Sequence, residues 1–367
     1  MLGVSASALI ASRLPARQQD FLREVLLGGL SAAQQQEELG RLLRGPQIDE
    51  SVFSRRAIDA AQRALQAWKE DGIQTLSIAD ADYPAALKTI HRPPLVLFYR
   101  GQCPSAADSD RCLAVVGSRK ADTAGCEIAG AFSAGVVQAG GCVVSGLALG
   151  IDAAAHKGAL KAGAAFPTVA VMGCGLRQVY PRANERLAAQ ILEQGGALIT
   201  HFEPDEAPYP ANFLDRNRII AGLSSALLVV EAPLRSGSLV TARYGLEQGR
   251  DIMAVPGPIN NDRWAGSNRL IKQGAYLVAS IEEVIALMPA LKKADTESGQ
   301  PASEMIHGPA KARIIQMLHS SGELHFDSLA AELGGPQALQ IDLLELEMEA
   351  VIVRMPGNLI RLAASSC

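Results

Sequence analysis

The sequence predicts an α/β protein with a doubly wound parallel sheet, and two observations carry that prediction. Six short apolar runs, CLAVVGS, GCVVSG, PTVAVMGCG, GALITHF, SALLVVEA and DIMAVPG, recur between 112 and 257, most of them ending in glycine or another small residue. Between them lie stretches long enough for one helix each. Near-continuous apolar strands alternating with helices form a parallel sheet covered on both faces. The sequence therefore predicts an extended Rossmann-like core.

Four segments are expected in chain order. Residues 1–75 are rich in Ala, Gln, Leu, Arg and Glu, with breaks at Gly28-Gly29 and Gly45-Pro46, and read as an N-terminal helical domain. Residues 76–290 form the core, opened by a Pro-punctuated lead-in over 76–111 that ends in a short strand, Leu95–Tyr99, and a Gly. Residues 291–304, LKKADTESGQPASE, are polar and aperiodic and read as a linker. In 305–367, Pro309–Ser320, Asp327–Leu333 and Pro336–Ala350 read as helices, and VIVRMPGNLIRL reads as two strands about a Pro-Gly-Asn turn. Three helices and a hairpin outline a winged-helix module.

Composition narrows the class. The chain has 367 residues, 48% hydrophobic and 20% charged. Its longest apolar runs, such as Ala226–Val230, fall far short of the ~20 residues that span a bilayer. Arg13 and Arg17 follow the apolar N-terminus with no small-residue cleavage site, so no signal peptide and a cytoplasmic location are expected. Six cysteines without CxxC spacing read as reduced, mostly buried thiols. Net charge is −4; residues 301–367 hold four basic and eight acidic residues, leaving residues 1–300 balanced at 30 of each. A neutral body can hold a basic groove.

In an open parallel sheet, ligands bind beyond the carboxyl ends of the strands at the switch point. Those ends here read Gly117-Ser118-Arg119, Ser145-Gly146, Gly173-Cys174-Gly175, Glu231-Ala232 with Ser236-Gly237-Ser238, and Pro256-Gly257. Small residues admit a ligand close to the backbone, and helix N-termini with hydroxyls favour anions. The same glycines would also serve simple tight turns. Arg119 and Lys120 occupy the first turn, so neither the dinucleotide fingerprint nor a Walker loop is present. Lys157, Arg177, Arg182 with Asn184, and Arg216-Asn217-Arg218 each follow a strand end. Singly each suits a solvated surface; gathered on one rim they would make a groove for a polynucleotide backbone.

Catalytic patterns are sparse. Asp152 and His156 are four residues apart, an acid–base pair or a capping Asp beside a hydrogen-bonded His. SGSLVTARYGLEQG lacks the Gly-Gly-x-Gly-Thr turn followed closely by a carboxylate that nucleotide-cleaving relatives of this fold would need. No metal cluster, cofactor motif or catalytic set is read, and no enzyme is expected. In Arg216-Asn217-Arg218, two helical residues two apart point about 200° apart. One arginine is therefore expected on the rim and the other held internally, by Asp215 or Glu231.

The ordered stretches VVGSR, SGLALGIDAAAHKGAL, VMGCGLRQVYPRAN, RNRIIAGLS, VVEA, SGSLVTARYGLEQGRDIMAVPG and GSNRLIKQGA cover 112–278 densely. On these the chain resembles the DNA-processing protein A family (DprA, also called Smf). Leu214 and Ala124 depart from the family pattern at positions that affect packing more than charge. The resemblance implies a cytoplasmic single-stranded-DNA-binding recombination mediator of natural transformation. Such a protein forms a homodimer, protects incoming ssDNA and helps load the RecA recombinase. It implies that Arg119 grips a phosphate, with Gly117 and Ser118 shaping the turn. Ser145, Gly146, Asn184, Ser236, Gly237 and Ser238 would line the same groove, with Lys157, Arg182, Arg216, Asn217 and Arg218 joining it. The alternative reading is a nucleotide-cleaving or small-nucleotide-sensing protein of the same fold. The last helix of the C-terminal module carries Asp342, Glu345, Glu347 and Glu349 without a basic residue, which repels duplex phosphates. That module is expected to serve protein contact or structure.

Overall fold

In this computed structural model the chain is described over residues 4–14, 19–20, 55–104, 106–292, 311, 313–315, 317–318, 323–332, 336–348, 351–355 and 357–362. It divides into two units, Met1–Thr296 and Glu297–Cys367. The expected linker beyond 292 and the glycine breaks near 28 and 45 lie outside the described residues.

The first unit is organised by a mostly parallel nine-stranded sheet in the order β1-β2-β6-β5-β4-β3-β7-β8-β9. Its strands are β1 Gln74–Ser77, β2 Val96–Gly101, β3 Cys112–Val116, β4 Cys142–Ser145, β5 Thr168–Val171, β6 Ala197–Thr200, β7 Ala226–Val229, β8 Asp251–Ala254 and β9 Tyr276–Leu277. β3 to β9 pair in parallel, whereas β2 runs antiparallel to both β1 and β6. The six apolar runs are β3 to β8. The sequence pattern missed β1 and β9, because four residues with Gln, Thr and Ser and an exposed pair, Tyr276-Leu277, have no buried run to mark them.

Seven helices of this unit carry the argument: α1 Val4–Ser12, α2 Arg55–Glu70, α3 Thr123–Gln138, α4 Ile151–Lys161, α5 Glu185–Glu193, α6 Pro210–Gly222 and α7 Gly237–Glu247. Successive residues of a strand point to opposite faces, so each strand feeds two cores. Leu113 and Val115 of β3 join the cluster with Phe132 and Val136 of α3 and Ala155 and Ala159 of α4. Ala114 and Val116 join the cluster with Ile191 of α5, Ile219 and Ile220 of α6 and Ala242 of α7. Leu9 of α1 and Trp68 of α2 belong to that second cluster, so the described N-terminal helices pack within the same unit.

The second unit has its own small core of Ile314, Leu318, Leu329, Leu339, Leu343, Leu346, Ile352 and Ile360. Helices α8 Phe326–Glu332 and α9 Pro336–Met348 lie with β10 Glu323–His325, β11 Ile352–Met355 and β12 Leu359–Leu362 in a three-stranded antiparallel sheet ordered β10-β12-β11. β10 is a three-residue strand that periodicity did not reveal. No helix among the described residues is long and apolar enough to cross a membrane.

Candidate nucleic-acid interface

From β3 the chain moves outward through β4, and from β7 outward through β8, so the sheet's switch point lies between adjacent strands β3 and β7. A cleft of about 530 Å³ opens there, lined by the turn after β3, the N-terminus of α7 and one side of α6.

The turn after β3 is built by close approach. A Cβ at Gly117 would lie 2.5 Å from Ile151 Cγ1 and 2.9 Å from Glu231 O, so only glycine lets β3 pass there. Ser118 N donates to Glu231 O at 2.7 Å, and Ser118 Oγ accepts from Lys120 N at 3.1 Å. Buried Glu231 accepts from Asp122 N through Oε2 at 3.0 Å, and burial pushes its carboxyl upward. It serves the turn's backbone and neither arginine of the triplet. Arg119 and Lys120 are thereby presented outward, both exposed. The Arg119 guanidinium carbon sits 5.2 Å from the centre of the Phe213 ring, a cation–π arrangement. Phe213 fits because Gly173 has no side chain: a Cβ there would lie 2.6 Å from its ring. Tyr180, 43% exposed, lies 5.3 Å from the same ring.

The arginine triplet lies on α6, where helical geometry separates its members. Arg216, 3% exposed, lines the cleft from within; its Nη1 donates to Gly146 O at 2.6 Å and to Val171 O. Burial lowers its pKa to about 10, opposed by nearby Asp152, so it stays charged at neutral pH. Arg218 points away, toward a second cavity, and its Nε donates to Asp215 Oδ1 at 2.9 Å while Nη1 donates to Arg92 O at 2.6 Å. Asp215 also contacts His201 Nε2 at 2.7 Å. Burial raises the Asp215 pKa, but His201 and Arg218 outweigh it and hold the carboxyl well below the usual carboxylate range. Between the arginines, Asn217 Nδ2 donates to Gly237 O at 3.3 Å, tying α6 to the start of α7.

That start is the cleft's second wall. Ser236 caps α7, its Oγ accepting from Ser238 N at 3.3 Å and lying 2.6 Å from Ser238 Oγ. Gly237 lines the cleft, and a Cβ there would meet nothing within 4 Å. The amide end of an eleven-residue helix carries a partial positive charge. Five cations, Arg119, Lys120, Arg216, Arg235 and Arg263, face a single carboxylate, Asp152. Among the described residues no ion pair neutralises Arg119, Lys120, Arg235 or Arg263. Arg263 Nη1 donates to Lys120 O at 2.8 Å, closing the rim.

Of the residues the sequence singled out, the cleft gathers Gly117, Ser118, Arg119, Arg216, Asn217, Ser236, Gly237 and Ser238. Gly146 borders an adjoining niche with Arg119, Leu149, Tyr180 and Phe213. Ser145 is buried and donates to Val115 O at 2.6 Å. Asn184 is buried and donates to Leu147 O at 2.8 Å, bracing the loop after β4. Lys157 and Arg182 are exposed outside the cleft. Arg177 is taken up by Asp71 and Asp205. Asp152 and His156 do not form a pair: Asp152 lines the cleft, whereas His156 Nδ1 contacts Thr168 Oγ1 at 2.7 Å in the core. Sequence reasoning missed the cleft roles of Arg235, Arg263, Phe213 and Asp152. Arg235, beside Ser236-Gly237-Ser238, was the one with a local signal.

The sequence profile of the family DNA recombination-mediator protein A matches residues 74–289. Protein Smf of Escherichia coli (strain K12) is 40% identical over 319 residues, 84% of this chain and 82% of its own length. DNA processing protein A from Streptococcus pneumoniae, solved by X-ray, superposes with TM-score 0.56 at 37% identity, covering 66% of this chain and 82% of that one. DNA processing protein A from Helicobacter pylori superposes with TM-score 0.53 at 27% identity, covering 59% of this chain and 95% of that one. The latter structure is described for its unique single-stranded DNA binding mode.

Proposed function

Because the chain belongs to the DNA recombination-mediator protein A family, we propose that it binds single-stranded DNA in the cleft at the β3/β7 switch point and acts as a recombination mediator. The observation that carries this reading is the cleft's charge: five cations against one carboxylate, at a helix amide end. Phosphates suit that field, and the backbone of a single strand supplies them in series. Phe213, Tyr180 and the exposed Leu214 offer apolar faces beside Arg119 against which splayed bases can rest. Stacking tolerates any base, so binding is expected to depend little on sequence apart from specific edge contacts.

Further steps rest on family membership. The protein works in the cytoplasm as a homodimer, protects incoming strands during natural transformation and hands them to the RecA recombinase. We take residues 305–367 as a winged-helix module, supported by the helices and three-stranded antiparallel sheet described there. α9 carries Asp342, Glu345 and Glu347 and no basic residue of its own; Glu345 is paired by Lys311 and Glu347 by Arg354 at 3.0 Å, so the helix offers duplex phosphates no cation, which favours protein contact over duplex binding.

Fluorescence anisotropy with labelled oligo-dT and with a duplex of equal length tests the reading. Oligo-dT binding that weakens with salt and exceeds duplex binding supports it. Equal affinity for both, or none for oligo-dT, contradicts it.

A further inference from the structure

Helix α6 separates two cavities of opposite character. The cleft on its Arg216 side is a field of cations; the cavity on its Arg218 side, about 630 Å³, is not. Both arginines of that second cavity are already committed. Arg218 donates to Asp215 Oδ1 and to Arg92 O, and Arg92 adopts a left-handed φ of 54° that brings its carbonyl to Arg218. Arg92 Nε itself lies 3.7 Å from Asp20 Oδ1. What the cavity wall holds in excess is acceptors. Asp215 is anionic and only accepts, so His201 Nε2 carries the proton in their 2.7 Å contact. Burial lowers the His201 pKa, which leaves Nδ1 of the neutral ring as an acceptor. Gln248 Nε2 donates to Arg218 O at 3.1 Å. His201 Nδ1 and Gln248 Oε1 are both buried without a hydrogen-bond partner among the described residues. Glu247, at the end of α7, adds an exposed carboxylate to the same wall.

We propose that this second cavity binds a small organic cation of the diamine or polyamine class, with an ammonium group held by Glu247 and Asp215. A wall short of donors suits a ligand that brings them, and an alkylammonium carries three on a compact charge. The rings of Tyr244 and Phe202 line the cavity and offer π faces to a cation and apolar surface to its alkyl chain. The acceptors are spread from the end of β6 through α6 to the end of α7, which a flexible chain can follow and a compact ion cannot. A volume of about 630 Å³ falls within the range that takes small ligands. A phosphate would meet the same carboxylates as repulsion.

Isothermal titration calorimetry of the full chain, without DNA and at constant ionic strength, tests this with putrescine and spermidine, and with pyrophosphate as an anionic probe. Glu247 is exposed and outside the cleft, so Glu247→Gln should fold as wild type, which thermal melting checks. Wild type should take up an amine saturably, one per chain. Glu247→Gln should weaken that uptake by about fivefold, the order of one partly exposed ion pair. Tyr244→Leu should weaken it by a similar factor; should that variant not fold, Glu247→Gln decides. Absence of saturable uptake of either amine overturns the proposal. Uptake that Glu247→Gln leaves unchanged also overturns it, and assigns the amine to another acidic surface such as the 301–367 segment. Saturable pyrophosphate binding that Arg92→Ala abolishes would make the cavity an anion site and overturn it as well.

Discussion

Arg216 occupies the space that a side chain at Gly146 would need: a Cβ built there would collide with its guanidinium, whose Nη1 donates to Gly146 O at 2.6 Å. The glycine after β4 and the buried arginine of α6 are thus one fitted pair across two elements. Arg216 brings a positive charge to the cleft floor only because residue 146 lacks a Cβ.

Gly146→Ala should therefore displace Arg216 and break its bonds to Gly146 O and Val171 O. Overpacking of this kind costs about 1–3 kcal/mol. Urea unfolding should show a lower midpoint with an unchanged slope. A midpoint equal to wild type would mean that the guanidinium has another place to go.

Gly237 gives the opposite expectation. Nothing of the protein lies within 4 Å of a Cβ there, and the space around it belongs to the cleft. Gly237→Ala should leave thermal stability unchanged or raise it by a few tenths of a kcal/mol. It should nonetheless weaken oligo-dT binding by on the order of fivefold, about 1 kcal/mol. Melting and anisotropy on the same sample separate the two effects.

His156 sets an acid limit. Thr168 Oγ1 donates to Val143 O at 2.6 Å, so His156 Nδ1 must be the donor in its 2.7 Å contact with Thr168. Its Nε2 is buried without a partner, and burial lowers the pKa to about 3. The stability this neutral ring preserves is fully present above the unfolded pKa near 6.5. As pH falls from there toward about 3, the unfolded state takes up the proton first, so stability drops by up to about 1.4 kcal/mol per pH unit. His156→Asn keeps a donor for Thr168 and does not titrate. Its stability should fall less steeply between pH 6 and pH 4, as read from denaturation midpoints across that window; parallel profiles would place the acid sensitivity elsewhere.

How much of this was legible in the sequence depended on what each residue must satisfy locally. β3 to β8 showed themselves because their residues are buried on both faces and so are apolar without alternation. β1 and β10 are short and carry polar residues, and only their pairing partners make them strands. Helical spacing foretold that Arg216 and Arg218 must part, and Asp215, three residues before Arg218, was a visible partner. That Arg216 is the one at the cleft follows from Gly146, 70 residues away, which no local pattern could supply. Arg263 looked like any surface cation until the fold brought its loop to the turn after β3, whereas Arg235 had only its neighbours Ser236-Gly237-Ser238 to mark it. Glu231 read as a partner for arginine, but its carboxylate accepts from the Asp122 amide at the start of α3, while its backbone carbonyl accepts from Ser118 N in the turn after β3.

Arg119 is exposed, unpaired by any carboxylate among the described residues, and held at the rim by Phe213. Its removal should cost the fold little and deprive the cleft of one grip on a phosphate. The most direct measurement is the dependence of oligo-dT affinity on salt for wild type and Arg119→Ala. On a single strand, each phosphate that a protein ceases to neutralise reduces the slope of log K against log salt by about 0.7. Weaker binding with a slope shallower by about that amount is the expected result. An Arg119→Ala variant with the wild-type slope and affinity would contradict a DNA-binding role for this cleft.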